Sequence, residues 1–223
     1  MGPADIAWVV GGYLAGTFPS TWLVAHARHS RVLQEETGRR AGETDPHVLA
    51  SRYLGVRWSA LASTTDVLKG FLVVLLARHL GNLDDSWLSA VAVAAVLGHT
   101  FPPYLARWAG RGLAATAGVL LVILPLQMVV AGLLIVLGIV IHASGILSTV
   151  ALASIPVLAW IQGQPAAFIW AAVAILIIIV ARRLEGVGDV IRTGVPWPRA
   201  VVKRALFDVS EKPPLRGEEP PSG

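Results

Sequence analysis

The sequence predicts an all-α integral membrane protein with about seven transmembrane helices, and three observations lead to this fold class. Of the 223 residues, 55% are hydrophobic and only 14% are charged. The mean hydropathy is +0.66. The basic residues lie in short stretches between long apolar runs, as in the loops of membrane proteins. Because soluble domains carry about 25% charged residues, this composition excludes a soluble globular domain, a disordered protein and a nucleic-acid-binding module.

Seven segments are candidate spans, since a helix needs about 20 mostly apolar residues to cross a bilayer. They are residues 5–26, 57–77, 86–106, 112–124, 126–142, 145–161 and 165–181. The fourth is short and ends at Pro125, which interrupts the hydrogen-bond ladder of a helix. This segment is either a half-span or the first part of a kinked helix that continues into the fifth. A count of five or six spans therefore stays open.

The basic residues predict the orientation of the chain. With seven spans, all of the 18 Lys and Arg residues except Lys69 and Arg78 lie in the first loop, the third loop or the tail after residue 181. These three segments share one face, and the positive-inside rule makes that face cytoplasmic and the N-terminus external. No Lys or Arg precedes the first apolar run, so we expect no cleaved signal peptide.

The chain is expected to divide into a multi-span domain, residues 1–194, and a cytoplasmic tail, residues 195–223. The tail segment 197–207 mixes basic and apolar residues, which is typical either of an amphipathic helix on anionic lipid or of a short solvated helix. From Lys212 onward the tail is rich in proline and is predicted to be disordered. We find no internal repeat, which disfavours a transporter built from repeated halves.

The most specific local pattern is the turn Gly110-Arg111-Gly112, which follows a predicted span and precedes a new helix. Glycines let backbone amides approach an anion, and a helix N-terminus presents unpaired N–H groups. The guanidinium of Arg111 adds a cation that can bind a phosphate through two N–H groups. The turn is interpreted either as a phosphate cradle or as a tight connection with one topogenic arginine.

Three polar residues within the predicted spans are further candidates. His99 lies shortly before the glycine turn and is either a helix-packing residue or a site residue. Asp66 and Lys69 are three residues apart and share one face of a helix. Because charges within a bilayer are costly, we interpret them as a self-neutralising pair that packs spans together. The chain has no cysteine and no evident metal cluster, so no metal or cofactor is predicted.

These motifs resemble, in order and spacing, those of the bacterial acyl-phosphate:glycerol-3-phosphate acyltransferase (PlsY) family, up to about residue 194. The strongest match is Gly98-His-Thr-Phe-Pro102 followed by Gly110-Arg-Gly112. Further matches are Gly16-Thr-Phe-Pro19, Arg52-Tyr-Leu-Gly55, Asp66-Val-Leu-Lys-Gly70, Ser144-Gly-Ile-Leu-Ser148 and Arg182-Arg183.

The resemblance implies a seven-span enzyme of the bacterial cell membrane that acts in phospholipid synthesis. It would move an acyl group from an acyl-phosphate to the primary hydroxyl of glycerol-3-phosphate, without coenzyme A or metal, and would contact membrane lipids but no nucleic acid. No protein nucleophile is expected, because the acyl-phosphate carries its own leaving group. The resemblance assigns phosphate or anion contacts to Arg52, Gly110, Arg111, Gly112 and Arg182, and supporting roles to His99, Asp66 and Lys69.

Some positions depart from the family pattern. Gly42-Glu43-Thr44-Asp45 stands where the family has Gly-Ser-Gly-Asn, and it brings two carboxylates close to an expected phosphate. Arg111 replaces the lysine of the glycine turn, and Arg183 replaces the histidine of the third motif. A second hypothesis therefore stays open, namely a degenerate PlsY-like membrane protein that binds lipid or a partner without catalysis.

Overall fold

The computed structural model of the chain describes residues 2–39, 46–104, 109–141, 143–185, 187–192 and 194–207. Within these ranges the chain forms helices joined by short connections, and none of the described residues lies in a β-strand. The predicted all-helical fold is confirmed. The helices are α1 (Pro3–Gly16), α2 (Ser20–Ala27), α3 (Arg31–Arg39), α4 (Pro46–Leu54), α5 (Val56–His79), α6 (Asp85–Thr100), α7 (Leu113–Ile123), α8 (Pro125–Val140), α9 (Ser144–Ile161), α10 (Ala166–Leu184), α11 (Val187–Arg192) and α12 (Trp197–Phe207).

The first predicted span, residues 5–26, is broken into two helices. Helix α1 ends at Gly16 and α2 begins at Ser20. Pro19 has no N–H group with which to continue the ladder of α1. The carbonyl oxygen of Phe18 instead accepts hydrogen bonds from the backbone N–H of Ser20 at 3.1 Å and from Nζ of Lys69 at 2.7 Å. The break therefore turns a backbone carbonyl toward a cation on α5.

Pro125 separates α7 from α8, and the interruption is confined to Leu124. At the start of α8, Gln127 Nε2 donates to Gln162 Oε1, just after the end of α9, at 2.6 Å. At the end of α10, Arg183 Nη1 donates to Thr149 Oγ1 near the start of α9 at 2.7 Å. Helices α8, α9 and α10 therefore run in alternating directions.

The helices present large apolar side chains on their outer surface. Val140 on α8, Trp160 on α9 and Trp170 on α10 are 67%, 71% and 70% exposed. By length and apolarity, α5 and α10 are the two helices among the described residues that can each cross a bilayer, and α7, α8 and α9 are shorter apolar helices. An apolar surface of this kind is suited to lipid tails rather than water.

Helix α12 lies in the predicted cytoplasmic tail and packs against α9 and α10. Ala200 and Arg204 of this helix are 0% and 1% exposed. A guanidinium N–H of Arg204 donates to the backbone carbonyl of Glu185, just after α10. The segment therefore docks on the helix bundle, a contact that neither interpretation of the sequence included. The rest of the predicted tail, from residue 208, lies outside the described residues.

Glycines allow two helix pairs to pack with their backbones nearly in contact. A Cβ atom on Gly98 of α6 would overlap the carbonyl oxygen of Tyr13 on α1, and one on Gly118 of α7 would overlap that of Val67 on α5. Small residues are the usual means of close helix packing in membranes, where no hydrophobic effect drives helices together. These close approaches bring the polar residues of α1, α5, α6 and α7 together.

We expect Gly118→Ala to destabilise the protein by about 1–3 kcal/mol, because the added methyl group must push α5 and α7 apart. Gly132→Ala on α8 is the matched control, since nothing lies within 4 Å of the Cβ atom it would add. Thermal denaturation of both variants in detergent measures the difference. Equal melting temperatures would show that the α5–α7 contact is not tight.

Candidate active site

A buried carboxylate on α5, Asp66, connects several helices. Its side chain is 1% exposed, and three nitrogen atoms lie around its two oxygens. Lys69 Nζ lies 2.6 Å from Oδ1, His47 Nε2 lies 2.8 Å from Oδ2, and His99 Nδ1 lies 3.5 Å from Oδ1. Because Lys69 also donates to Phe18, this carboxylate connects α4, α6 and the break between α1 and α2.

The ion pair of Asp66 and Lys69 was predicted from the sequence, but the interpretation as a pair that neutralises itself is incomplete. The structure adds two histidines to it, one from the predicted first loop and one from the third span. The sequence motifs indicate His99 as a candidate and do not indicate His47. The available signal was weak, because His47 and Asp66 are far apart in sequence and belong to different motifs. Its position at the start of α4, next to Pro46, gave no indication of a partner.

His47 also contacts two hydroxyl groups. Its Nδ1 lies 3.2 Å from Ser63 Oγ and 3.4 Å from Thr21 Oγ1. When Nε2 donates to the carboxylate of Asp66, Nδ1 can accept a hydrogen bond from these hydroxyls. The backbone carbonyl of His47 accepts a hydrogen bond from Ser59 Oγ at 2.8 Å.

His99 links the carboxylate to the glycine turn. A Cβ atom on Gly110 would overlap Nε2 of His99, so the imidazole lies directly against the backbone of the turn. Gly112 has φ of +88° and forms the N-cap of α7. Glycine adopts this left-handed conformation without steric cost, and the N-terminus of α7 presents unpaired N–H groups. The predicted turn is therefore present, and the imidazole of His99 packs against its backbone.

Two buried arginines belong to the same end of the molecule. Arg111, within the turn, is 5% exposed, and Arg182, near the end of α10, is 9% exposed. Arg182 Nη2 donates to the carbonyl oxygen of Ala109 at 3.3 Å, and its guanidinium lies 5.8 Å from the ring centroid of Phe101. It also forms an ion pair with Glu185. The structure thus places Arg182 against the segment that leads into the turn.

Arg52 lies on the exposed side of α4, five positions after His47. Its predicted phosphate contact stays a prediction. Glu43 and Asp45, which raised the possibility of an inactive site, lie outside the described residues. Arg183, at the position of the family's third-motif histidine, donates to Thr149 and, at 3.4 Å, to Ser148 Oγ.

A cleft of about 280 Å³, which includes open space at its mouth, lies beside the Asp66 cluster. It is bordered by the break between α1 and α2, by the start of α4 and by the end of α6. Its lining residues are Gly16, Thr17, Phe18, Pro19, Ser20, Thr21, His47, Asp66, His99 and Pro102. The cleft is connected to the glycine turn through His99, which lines the cleft and lies against Gly110.

Fold and site together define an all-helical protein of the integral membrane type with a glycine turn at one end of the bundle. The model of the glycerol-3-phosphate acyltransferase family matches residues 6–192. The chain belongs to this family, which confirms the resemblance seen in its motifs.

Individual relatives agree with this assignment. The chain is 29% identical over 191 residues to the glycerol-3-phosphate acyltransferase of Halalkalibacterium halodurans, a match that covers 82% of this chain and 91% of that protein. It is 30% identical over 183 residues to the enzyme of the same name from Syntrophotalea carbinolica, covering 80% of this chain and 90% of the relative.

The fold is that of a solved membrane protein. A crystal structure of PlsY, an integral membrane glycerol 3-phosphate acyltransferase, in its glycerol 3-phosphate form matches with a TM-score of 0.71 and 24% identity. The match covers 85% of this chain and 92% of that chain. Helix α12 follows the family-matched region, which ends at residue 192.

We expect Gly110→Ala to lower acyl transfer by about 100-fold, because the methyl group must displace His99 and with it the glycine turn. Gly11→Ala on α1 is the control, since nothing lies within 4 Å of its added Cβ atom. Steady-state kinetics of both purified variants test this. Parent-like kcat and KM for Gly110→Ala would mean that His99 does not hold the turn.

Proposed function

We propose that the protein is a multi-pass enzyme of the bacterial cell membrane that acylates glycerol-3-phosphate with an acyl-phosphate and forms lysophosphatidate for phospholipid synthesis. The observation that carries the proposal is the glycine turn at the N-terminus of α7. The imidazole of His99 packs against this turn, the buried Arg111 lies within it, and the buried Arg182 donates to the carbonyl of Ala109 next to it. Both substrates carry a phosphate group, and this turn supplies N–H donors and cations at one place. Family membership supplies the reaction type.

In the proposed reaction, the primary hydroxyl oxygen of glycerol-3-phosphate attacks the carbonyl carbon of the acyl-phosphate. The bond between that carbon and the phosphate oxygen breaks, and inorganic phosphate leaves. The hydroxyl proton passes to a phosphate oxygen of the substrates, so the step needs no protein base or nucleophile. What the site must supply is orientation and charge stabilisation.

The roles of the residues follow from their positions. Gly110, Arg111 and Gly112 bind a substrate phosphate, and Arg52 and Arg182 add cationic contacts from α4 and α10. His99 and the pair of Asp66 and Lys69 hold the site together rather than react. No metal ion or cofactor takes part in the proposed step.

We also propose seven spans with the N-terminus outside and the C-terminus in the cytoplasm. Support comes from the alternating directions of α8, α9 and α10. Further support comes from the basic residues, because the first loop, the third loop and the tail after residue 181 carry 16 of the 18. In this arrangement the candidate site opens at the cytoplasmic end of the bundle, and the apolar helices hold the acyl chain.

Reporter fusions at residues 83 and 215 are expected to lie on opposite sides of the membrane, the first outside and the second in the cytoplasm. The physical reason is the concentration of Lys and Arg on one face. Two reporters that are active on opposite sides of the membrane, such as alkaline phosphatase and green fluorescent protein, locate each position. Both fusions on the same side would contradict the seven-span arrangement.

The purified protein should form lysophosphatidate and inorganic phosphate from an acyl-phosphate and glycerol-3-phosphate, and Arg111→Ala should reduce kcat/KM by about 10-fold or more. Loss of a hydrogen bond to a charged group costs about 1.5–3 kcal/mol, and each 1.4 kcal/mol is a factor of about ten. Arg57→Ala is the control, because Arg57 is exposed at the start of α5.

Two outcomes would oppose the proposal. Parent-like kinetics for Arg111→Ala would reduce this residue to a topogenic charge. A parent protein without acyl transfer would favour the degenerate, non-catalytic member, a hypothesis that the family comparisons do not favour.

A further inference from the structure

We propose that His47 is a positioning residue of this site, which holds α4 against Asp66 and thereby sets the position of Arg52 at the other end of that helix. The proposal rests on the proposed function, in which Arg52 contacts a substrate phosphate. His47 itself does not react with substrate in this proposal, and its effect on catalysis is transmitted through α4.

Helix α4 needs such a contact. It has nine residues, and isolated helices shorter than about 12–15 residues are marginal in water. Leu49 and Ala50 of α4 pack with Ala25 and Leu33 in a small apolar cluster, separate from the main core. This cluster holds one face of the helix, and α4 also packs along α5, where its polar contacts lie.

His47 supplies these contacts at the first turn of α4. Its imidazole reaches Asp66 at 2.8 Å and Ser63 at 3.2 Å on α5, and Thr21 on α2 at 3.4 Å. Its backbone carbonyl accepts from Ser59 of α5 at 2.8 Å. One residue therefore ties the start of α4 to two neighbouring helices.

Among the contacts of His47, the one with Asp66 would be the most costly to lose in a substitution of this histidine. Asp66 is 1% exposed, and a buried carboxylate that loses a partner is poorly solvated. Lys69 and His99 would remain on Oδ1, whereas Oδ2 faces His47. Removal of the imidazole therefore leaves one side of the carboxylate without its described partner.

The same carboxylate also fixes the other half of the site. His99 lies between Asp66 and Gly110, so Asp66 is linked to the glycine turn through the imidazole of His99. Asp66 is linked to α4 through the imidazole of His47. The separation of Arg52 from the turn then depends on both histidines. A shift of α4 would change how well two cationic contacts fit the same pair of substrates, without altering the turn itself.

The kinetic test compares His47→Ala and His47→Gln with the parent and with Arg52→Ala. We expect His47→Ala to raise about 10-fold the KM of whichever phosphorylated substrate Arg52→Ala also affects, with a smaller change in kcat. His47→Gln, whose amide N–H can donate to Asp66, should recover most of the loss. In the Arg52→Ala background, His47→Ala should add little. His79→Ala, at the exposed end of α5, is the control.

A second measurement needs no activity. The chain has no cysteine, so a single introduced cysteine can be labelled with a nitroxide without background. Val48 is 54% exposed on α4, and Leu72 is 48% exposed on α5. In electron paramagnetic resonance spectra, His47→Ala should increase the mobility of a label at Val48→Cys and leave a label at Leu72→Cys unchanged.

The two measurements separate the two proposals. If the parent protein transfers no acyl group, the proposed function fails, and the label at Val48→Cys still reports whether His47 holds α4. Unchanged mobility of this label in His47→Ala would overturn the positioning role. So would additive effects of His47→Ala and Arg52→Ala on KM, because they would show that His47 does not act through Arg52.

Discussion

The burial of the Asp66 carboxylate is the constraint on which the site depends. An ionised group with 1% exposure must be surrounded by donors, since removal of one partner from a buried ion pair costs about 3–5 kcal/mol. Its three nitrogen neighbours come from α4, α5 and α6, and one of them, Lys69, also donates to the carbonyl of Phe18. The carboxylate can be satisfied only when these segments are in their observed positions. The need to satisfy this charge therefore links the positions of these segments.

Close packing of glycines is what allows this arrangement. Because Gly98 and Gly118 carry no side chain, α1 can approach α6 closely, and α5 can approach α7. Gly110 has the same function at the site, where it leaves room for the imidazole of His99. Polar groups that are few in number can then reach each other across several helices. Exposed apolar side chains such as Trp160 and Trp170 are not part of this network.

Most of the fold was predictable because long apolar runs and prolines are local signals. Pro125 lies at a helix break that the sequence predicts, and the glycines of the turn at Gly110–Gly112 are a local signal too. The break at Pro19, within the first predicted span, was not predicted. The ion pair of Asp66 and Lys69 was also local, since three residues separate them on one helix. His47 was missed because its partner lies on another helix, and pairing across helices depends on packing that a single sequence does not show. The docking of α12 through Arg204 was missed for the same reason, since its basic residues looked suited to lipid or solvent.

Helix α12 has a consequence for where the functional unit ends. A guanidinium N–H of Arg204 donates to the carbonyl of Glu185, Glu185 pairs with Arg182, and Arg182 donates to the carbonyl of Ala109, next to the glycine turn. The family-matched region ends at residue 192, before this helix begins. A polypeptide that ended at residue 192 would keep the turn and Arg182 but would lose Arg204, which donates to the carbonyl of Glu185. In this chain, the series of contacts that leads to the glycine turn therefore extends past the end of the family-matched region.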